Sequence, residues 1–101
     1  MASVLERPTL EGLRARRAEI VRIATARGAR DIRVFGSVAR GQARADSDID
    51  FLVDFEPERN VLDLSELILD LEEALGRQVD VVEISRPSPL AERIRQEAIP
   101  L

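Results

Sequence analysis

The chain has 101 residues, a formal net charge of −4 and neither Cys nor His. This length fits one domain and is too short for a second hydrophobic core. The lack of Cys and His excludes disulfide bonds, a Cys nucleophile and the usual zinc sites. Because no apolar run has the length of a membrane span and the N-terminus lacks the apolar segment of a signal peptide, we expect a cytoplasmic protein with no membrane contact.

All of the positive charge comes from Arg, and it is distributed unevenly. Residues 1–45 contain ten Arg and four acidic residues, whereas residues 46–101 contain five Arg and fifteen acidic residues. The basic half could contact phosphates or an acidic partner, although solvated helix faces explain most of these Arg residues. Strong direct nucleic-acid binding is not expected, because the chain is acidic and three Phe are its only aromatic residues.

Hydrophobic periodicity predicts the elements of the first half of the chain. A helix from Thr9 to about Arg27 ends at Gly28. A short strand from Ile32 to Phe35 leads into a Gly-Ser turn, and a single helical turn follows at residues 38–40. The second strand, from Ile49 to Phe55, has an alternating pattern, so we expect one face to be packed in the core. That packed face consists of Ile49, Phe51, Val53 and Phe55, and the opposite face of Asp48, Asp50, Leu52 and Asp54.

The second half is predicted to contain a helix, a strand and a final helix. The clearest apolar stripe of the chain runs along the first helix, which Asp63 caps and Gly76 ends. It consists of Leu64, Leu67, Ile68, Leu71 and Leu75. A third strand follows from Val79 to Ile84. The last helix starts near Ser88 and stops before Pro100, burying Leu90, Ala91, Ile94 and Ala98. The order α-β-α-β-α-β-α predicts an α/β (α+β) fold of one domain, residues 1–101, with a short sheet packed by helices.

Asp48 and Asp50 form the strongest candidate site. Side chains two residues apart on a strand lie on the same face, and two adjacent anions are costly unless a cation bridges them. Asp80 interrupts an otherwise apolar strand and is the natural third ligand. Oxygen-only ligands suit Mg²⁺, and three convergent carboxylates can hold two such ions. The alternatives are solvated acids for the pair and, for Asp80, a charge that protects an edge strand from aggregation.

A small-residue turn precedes these carboxylates. Backbone N–H groups of Gly36-Ser37 and the Ser37 hydroxyl could approach a phosphate. Arg40 could neutralise that phosphate or could simply be a surface residue.

The pattern Gly36-Ser37-x-Ala39-Arg40-Gly41, then Ser47-Asp48-x-Asp50, with Asp80 on a later strand, resembles the nucleotidyltransferase superfamily with the DNA polymerase β-like palm. The resemblance spans about residues 24–99. The short length and the segment from Asp48 to Phe55 resemble the minimal nucleotidyltransferases, which are the antitoxins of HEPN/MNT toxin–antitoxin pairs. By this resemblance Asp48, Asp50 and Asp80 bind two Mg²⁺ and carry catalysis, while Gly36 and Ser37 hold the triphosphate of ATP. Arg40 is the further candidate for binding the nucleotide.

The resemblance implies transfer of AMP from ATP to a hydroxyl, most simply a Tyr of a partner HEPN ribonuclease toxin, which is thereby neutralised. The chain has no Lys, His, Cys or Tyr, so direct transfer is favoured over the commonest covalent intermediates. Two alternatives stay open. The protein could be a non-catalytic antitoxin that acts by binding and occlusion, or a nucleotidyltransferase that modifies a small molecule such as an aminoglycoside.

Overall fold

The computed structural model describes residues 7–84 and 88–101. Within this part of the chain, the strands β1 (Ala29–Phe35), β2 (Ile49–Phe55), β3 (Val79–Glu83) and β4 (Ile99–Pro100) form one sheet. The spatial order is β3-β2-β1-β4; β2 and β3 are parallel, and β1 is antiparallel to both β2 and β4. The predicted α/β class with a short mixed sheet is confirmed.

Five helices of the described residues accompany this sheet. They are α1 (Leu10–Ala15), α2 (Arg17–Ala26), α3 (Gly36–Ala39), α4 (Val61–Leu75) and α5 (Pro89–Glu97). The core joins α2 and α4 to the sheet, and its largest fully buried side chains come from both layers. These side chains are Phe51, Ile20, Leu67, Leu71, Val34, Val38 and Val53. None of the described helices is long and apolar enough to cross a membrane.

The single helix predicted for residues 9–27 is in fact two. Thr9 caps α1 by accepting a hydrogen bond from the Gly12 N–H at 2.9 Å, and Arg16 then leaves helical geometry between α1 and α2. The Arg16 N–H bonds the carbonyl three residues back, and its guanidinium donates to the Ala74 carbonyl at 2.7 Å. At the break, Arg16 thus contacts the end of α4, 58 residues away along the chain, and local periodicity does not reveal this contact.

The cap of α4 is also displaced from its predicted position. Asn60, not Asp63, is the N-cap residue, and its side chain accepts hydrogen bonds from the second and third helical N–H groups. Asp63 returns the contact by accepting from the Asn60 N–H at 3.0 Å, which completes a capping box. Gly76 ends the helix in the left-handed conformation, at φ 64°, as predicted. The predicted apolar stripe of α4 faces the core.

The C-terminal segment contains a strand that periodicity did not predict. Residues 99–100 form β4, which pairs with Arg33 and Val34 of β1. Pro100 can occupy this position because the strand is at the edge of the sheet. Ser88 caps α5 and Ala91 and Ile94 are buried as predicted. Leu90 is instead 64% exposed, because it faces away from the side of α5 that is covered, and Ala98 lies just after the helix and is only partly buried.

Candidate functional site

Strand register brings the Asp50 and Asp80 positions together. In the parallel pair of β2 and β3, Asp50 lies directly opposite Asp80. Asp48 precedes the first residue of β2 and is exposed, as is Asp80, whereas Asp50 is partly buried. Because opposite residues of neighbouring strands project to the same face, the two carboxylates share one face of the sheet at its β2–β3 side.

The surroundings of Asp50 disfavour its negative charge. Burial raises the pKa of the Asp50 carboxyl above its ordinary value, and the charges of Asp80 and Asp48 raise it further, followed by a smaller effect of Glu97. The guanidinium of Arg40 acts in the opposite direction. The charges of Asp48 and Asp80 therefore act on Asp50, and the guanidinium of Arg40 does not fully offset them.

Gly36 gives Asp50 the space that it occupies. Gly36 follows β1, adopts φ 74°, and a Cβ built on it would lie 2.2 Å from Oδ2 of Asp50. Any larger residue would have to displace that carboxylate and would also be strained at this positive φ. The structure thus shows a close approach of the Gly36 backbone to the Asp50 side chain, while phosphate binding by this turn stays a prediction.

The donor set suits Mg²⁺, although the three carboxylates are not already arranged around a common point. Among residues 7–84 and 88–101, no group of three or more acidic side chains is positioned to hold a metal ion. The chemistry nevertheless fits, since carboxylate oxygens are the preferred protein ligands of Mg²⁺. A divalent cation would also offset the repulsion that raises the pKa of Asp50. The assignment of Asp48, Asp50 and Asp80 as metal ligands stays a prediction.

The predicted phosphate-binding residues lie beside this group. The Gly36 N–H, predicted to face a phosphate, instead donates a hydrogen bond to Oε1 of Glu97 at 3.1 Å. The Ser37 hydroxyl makes no hydrogen bond within the described part of the chain, and so remains a donor for a ligand. Arg40 pairs with Glu97 and donates from Nε to Oε1 of Gln42 at 3.1 Å.

Sequence reasoning missed Glu97 and Gln42. Glu97 is 57 residues from Arg40 along the chain and occupies the last position of α5, where it looks like any solvated helix acid. Gln42 lies two residues after Arg40 in a polar loop. Glu97 reaches the Gly36 turn because the C-terminal segment returns to β1, and hydrophobic periodicity did not predict that return.

Comparisons with known proteins found a matching family and several similar proteins. The nucleotidyltransferase domain family matches residues 17–101. Protein adenylyltransferase MntA of Thermococcus cleftensis is 45% identical over 73 residues, which are 71% of this chain and 74% of that protein. A solved structure of a proposed minimal nucleotidyltransferase is 51% identical, with a TM-score of 0.81 over 92% of this chain and 96% of the other.

A more distant likeness concerns a complex. The structure of a tri-AMPylated HEPN toxin of Shewanella oneidensis with its MNT antitoxin matches with 21% identity and a TM-score of 0.66. The match covers 86% of this chain and 69% of the other. At this level of identity the likeness shows that the fold is shared.

Proposed function

Because the chain belongs to the nucleotidyltransferase domain family, we propose that it is an Mg²⁺-dependent protein adenylyltransferase that transfers AMP from ATP to a hydroxyl of a HEPN ribonuclease toxin, most simply a Tyr hydroxyl, and thereby neutralises the toxin. The adenylyltransferase name of a 45%-identical relative supports this activity. The shared fold with the antitoxin of an AMPylated HEPN toxin supports the partner.

The observation that carries the proposal is the register of β2 and β3. It sets Asp50 of β2 opposite Asp80 of β3, and Asp48 directly precedes β2. Gly36 allows the Asp50 carboxylate to lie against the turn that leads to Ser37. A carboxylate pair beside a small-residue turn suits direct nucleotidyl transfer, because that reaction depends on positioning and charge neutralisation.

Each side chain has a distinct part in this proposal. Asp48, Asp50 and Asp80 would hold Mg²⁺, which when bound neutralises charge on the phosphates. The Ser37 hydroxyl and the Arg40 guanidinium would donate to triphosphate oxygens. Asp80 would accept the proton of the attacking hydroxyl. The acceptor oxygen bonds to the α-phosphorus, the bond from that phosphorus to the bridging oxygen breaks, and pyrophosphate leaves.

The acceptor must be another molecule if it is a Tyr, since this chain contains none. The open face beside Asp80 is compatible with this, because Asp80 is exposed and β3 lies at an edge of the sheet. The acceptor side chain could therefore be presented by a partner protein to the side of the site where Asp80 lies.

Incubation with ATP labelled at the α-phosphate, Mg²⁺ and a candidate HEPN partner protein tests the proposal. We expect label on the HEPN protein, and no label when the ATP is labelled at the γ-phosphate, because pyrophosphate carries that phosphate away. An inhibited but unlabelled HEPN protein would establish occlusion instead. Label appearing only on an added aminoglycoside would establish a small-molecule transferase.

A further inference from the structure

Glu97 connects the end of the chain to the turn that begins the candidate site. One of its carboxylate oxygens, Oε1, accepts a hydrogen bond from the Gly36 N–H at 3.1 Å and also pairs with Nη1 of Arg40. The carboxylate is partly buried, with 34% of the side chain exposed. A single oxygen therefore fixes both a backbone group of the turn and the cation that follows it, and the roles assigned so far give Glu97 no part.

Two of the three guanidinium nitrogens of Arg40 are held by the protein. Nη1 pairs with Glu97, and Nε donates to Oε1 of Gln42 at 3.1 Å. Among the described residues, Nη2 has no hydrogen-bond partner. Because the guanidinium group is planar and rigid, fixing Nε and Nη1 also fixes the direction in which Nη2 can donate. Arg40 is thus pre-oriented, with one nitrogen left for a ligand.

Glu97 is itself held in place from both sides. The α5 helix that ends at Glu97 buries Ala91 and Ile94, whose exposed fractions are 7% and 8%. Directly after it, Ile99 pairs with Val34 of β1, two residues before Gly36. The carboxylate therefore projects from a short segment that is fixed by a packed helix face and a strand pairing, which limits its freedom to leave Arg40.

We propose that Glu97 is a positioning residue that holds the Gly36 peptide and the Arg40 guanidinium so that Nη2 of Arg40 meets the triphosphate of ATP. This inference rests on the proposed nucleotidyl transfer and adds the residue that orients its phosphate-binding cation. Glu97 does not touch the reacting atoms. Its effect reaches the nucleotide through Arg40, and it makes the C-terminal segment part of the site.

Glu97→Gln is the informative variant, because its amide oxygen can still accept from the Gly36 N–H while the charge that holds Arg40 is lost. A contact made equally with bound ATP and with the transition state changes KM and leaves kcat alone. We expect KM for ATP to rise about tenfold, as for the loss of one charge-assisted hydrogen bond, with kcat within about twofold of wild type. Glu92→Gln is the matched control, since it removes the same charge from an exposed position of the same helix. It should leave both constants unchanged.

A second variant separates positioning from a structural role. Arg40→Ala should raise KM at least as much as Glu97→Gln, and adding Glu97→Gln to it should change KM by less than about threefold, because the two residues act through one contact. Three results would overturn the inference: an unchanged KM in Glu97→Gln; a lower KM, which would mean that Glu97 competes with phosphate; and independent, additive effects of the two substitutions.

Titration calorimetry of ATP with Mg²⁺, on the chain alone, distinguishes failure of this inference from failure of the proposed function. The Kd should rise in Glu97→Gln by the same factor as KM. If wild-type protein binds ATP but transfers no AMP, the proposed function is wrong while the Kd still decides the role of Glu97. Wild-type protein that neither binds ATP nor transfers AMP would contradict both.

Discussion

A comparison of Gly36 with Gly41 tests whether the close approach of the Gly36 backbone to the Asp50 carboxylate matters for activity. Both adopt positive φ, 74° and 72°, but a Cβ at Gly36 would meet Asp50, whereas one at Gly41 would meet no atom within 4 Å. Both Ala substitutions should cost about 1–2 kcal/mol of unfolding free energy from backbone strain. Because only Gly36→Ala displaces the Asp50 carboxylate, it alone should lower AMP transfer, by about a hundredfold or more. Equal activities of the two variants, measured alongside thermal melts, would show that the Asp50 position is unimportant.

The raised pKa of Asp50 also leads to a prediction of how the free energy of unfolding depends on metal and pH. Its pKa is raised in the folded protein, so without metal its contribution to that free energy is most favourable at acidic pH and is lost as the pH rises through the folded pKa. Asp50→Asn should remove this loss, so in EDTA at neutral pH the variant should melt at or above the wild-type temperature. Mg²⁺ at ten times its Kd should stabilise wild type by about 1.4 kcal/mol, or about 5–11 °C, and Asp50→Asn should lose most of that rise.

Asp54→Asn is the control for these melts. Asp54 is four residues further along the same strand and pairs with Arg30 at 3.2 Å, outside the carboxylate group. The control should keep the full response to Mg²⁺. If Asp50→Asn melts well below wild type in EDTA yet keeps the Mg²⁺ response, Asp50 has a structural role and the site is misassigned.

At the scale of single residues, the sequence yields candidate site residues where a local pattern marks them, including Asp80, a carboxylate in an otherwise apolar strand. Asp48 and Asp50 follow from the alternation of one strand, and Gly36 from the turn before it. The part played by Glu97 could not be predicted, because it depends on a contact with Arg40 across 57 residues. The engagement of the Gly36 N–H was missed for the same reason.

The helix α4 shows how an amphipathic element is anchored by one face. Leu67 is completely buried, whereas Leu69, two positions further on, is 63% exposed. Leu67→Ala should lower the free energy of unfolding by about 2–5 kcal/mol, through lost burial and the cavity that remains. Leu69→Ala should change it by less than about 0.5 kcal/mol. Urea denaturation of both variants measures the difference, and similar losses would mean that α4 does not bury the face that contains Leu67.

Most helices and strands could be predicted from periodicity, whereas β4 and several element boundaries could not. The bounds of β2 match the prediction, because its alternating pattern is flanked by polar loops. The strand β4 was missed because it depends on pairing with β1, and the break at Arg16 was missed because local periodicity runs through it. The cap of α4 was placed three residues late because Asp63 and Asn60 are both good capping residues, and only the backbone shows which one precedes the helix.

The arrangement of the whole molecule explains why a short chain can hold a nucleotidyltransferase site. The segment β2-α4-β3 makes two parallel neighbours, which puts Asp80 opposite Asp50, although 30 residues separate them. The chain then returns along α5 and β4 to the far side of β1, where Glu97 reaches the turn. The proposed site thus combines residues of β2, β3, the turn after β1 and the end of α5, and the inference for Glu97 predicts that the C-terminal segment contributes to it.

The central claim is that this chain adds AMP to a HEPN protein, and the intact masses of both chains test it most directly. After incubation with ATP and Mg²⁺, the HEPN chain should gain about 329 Da for each AMP, the mass that direct phosphoryl transfer adds. This chain should gain no Tyr-linked AMP, and a reaction with Asp50→Asn should leave the HEPN mass unchanged. A HEPN protein that is fully inhibited by this chain without any gain in mass would contradict the account.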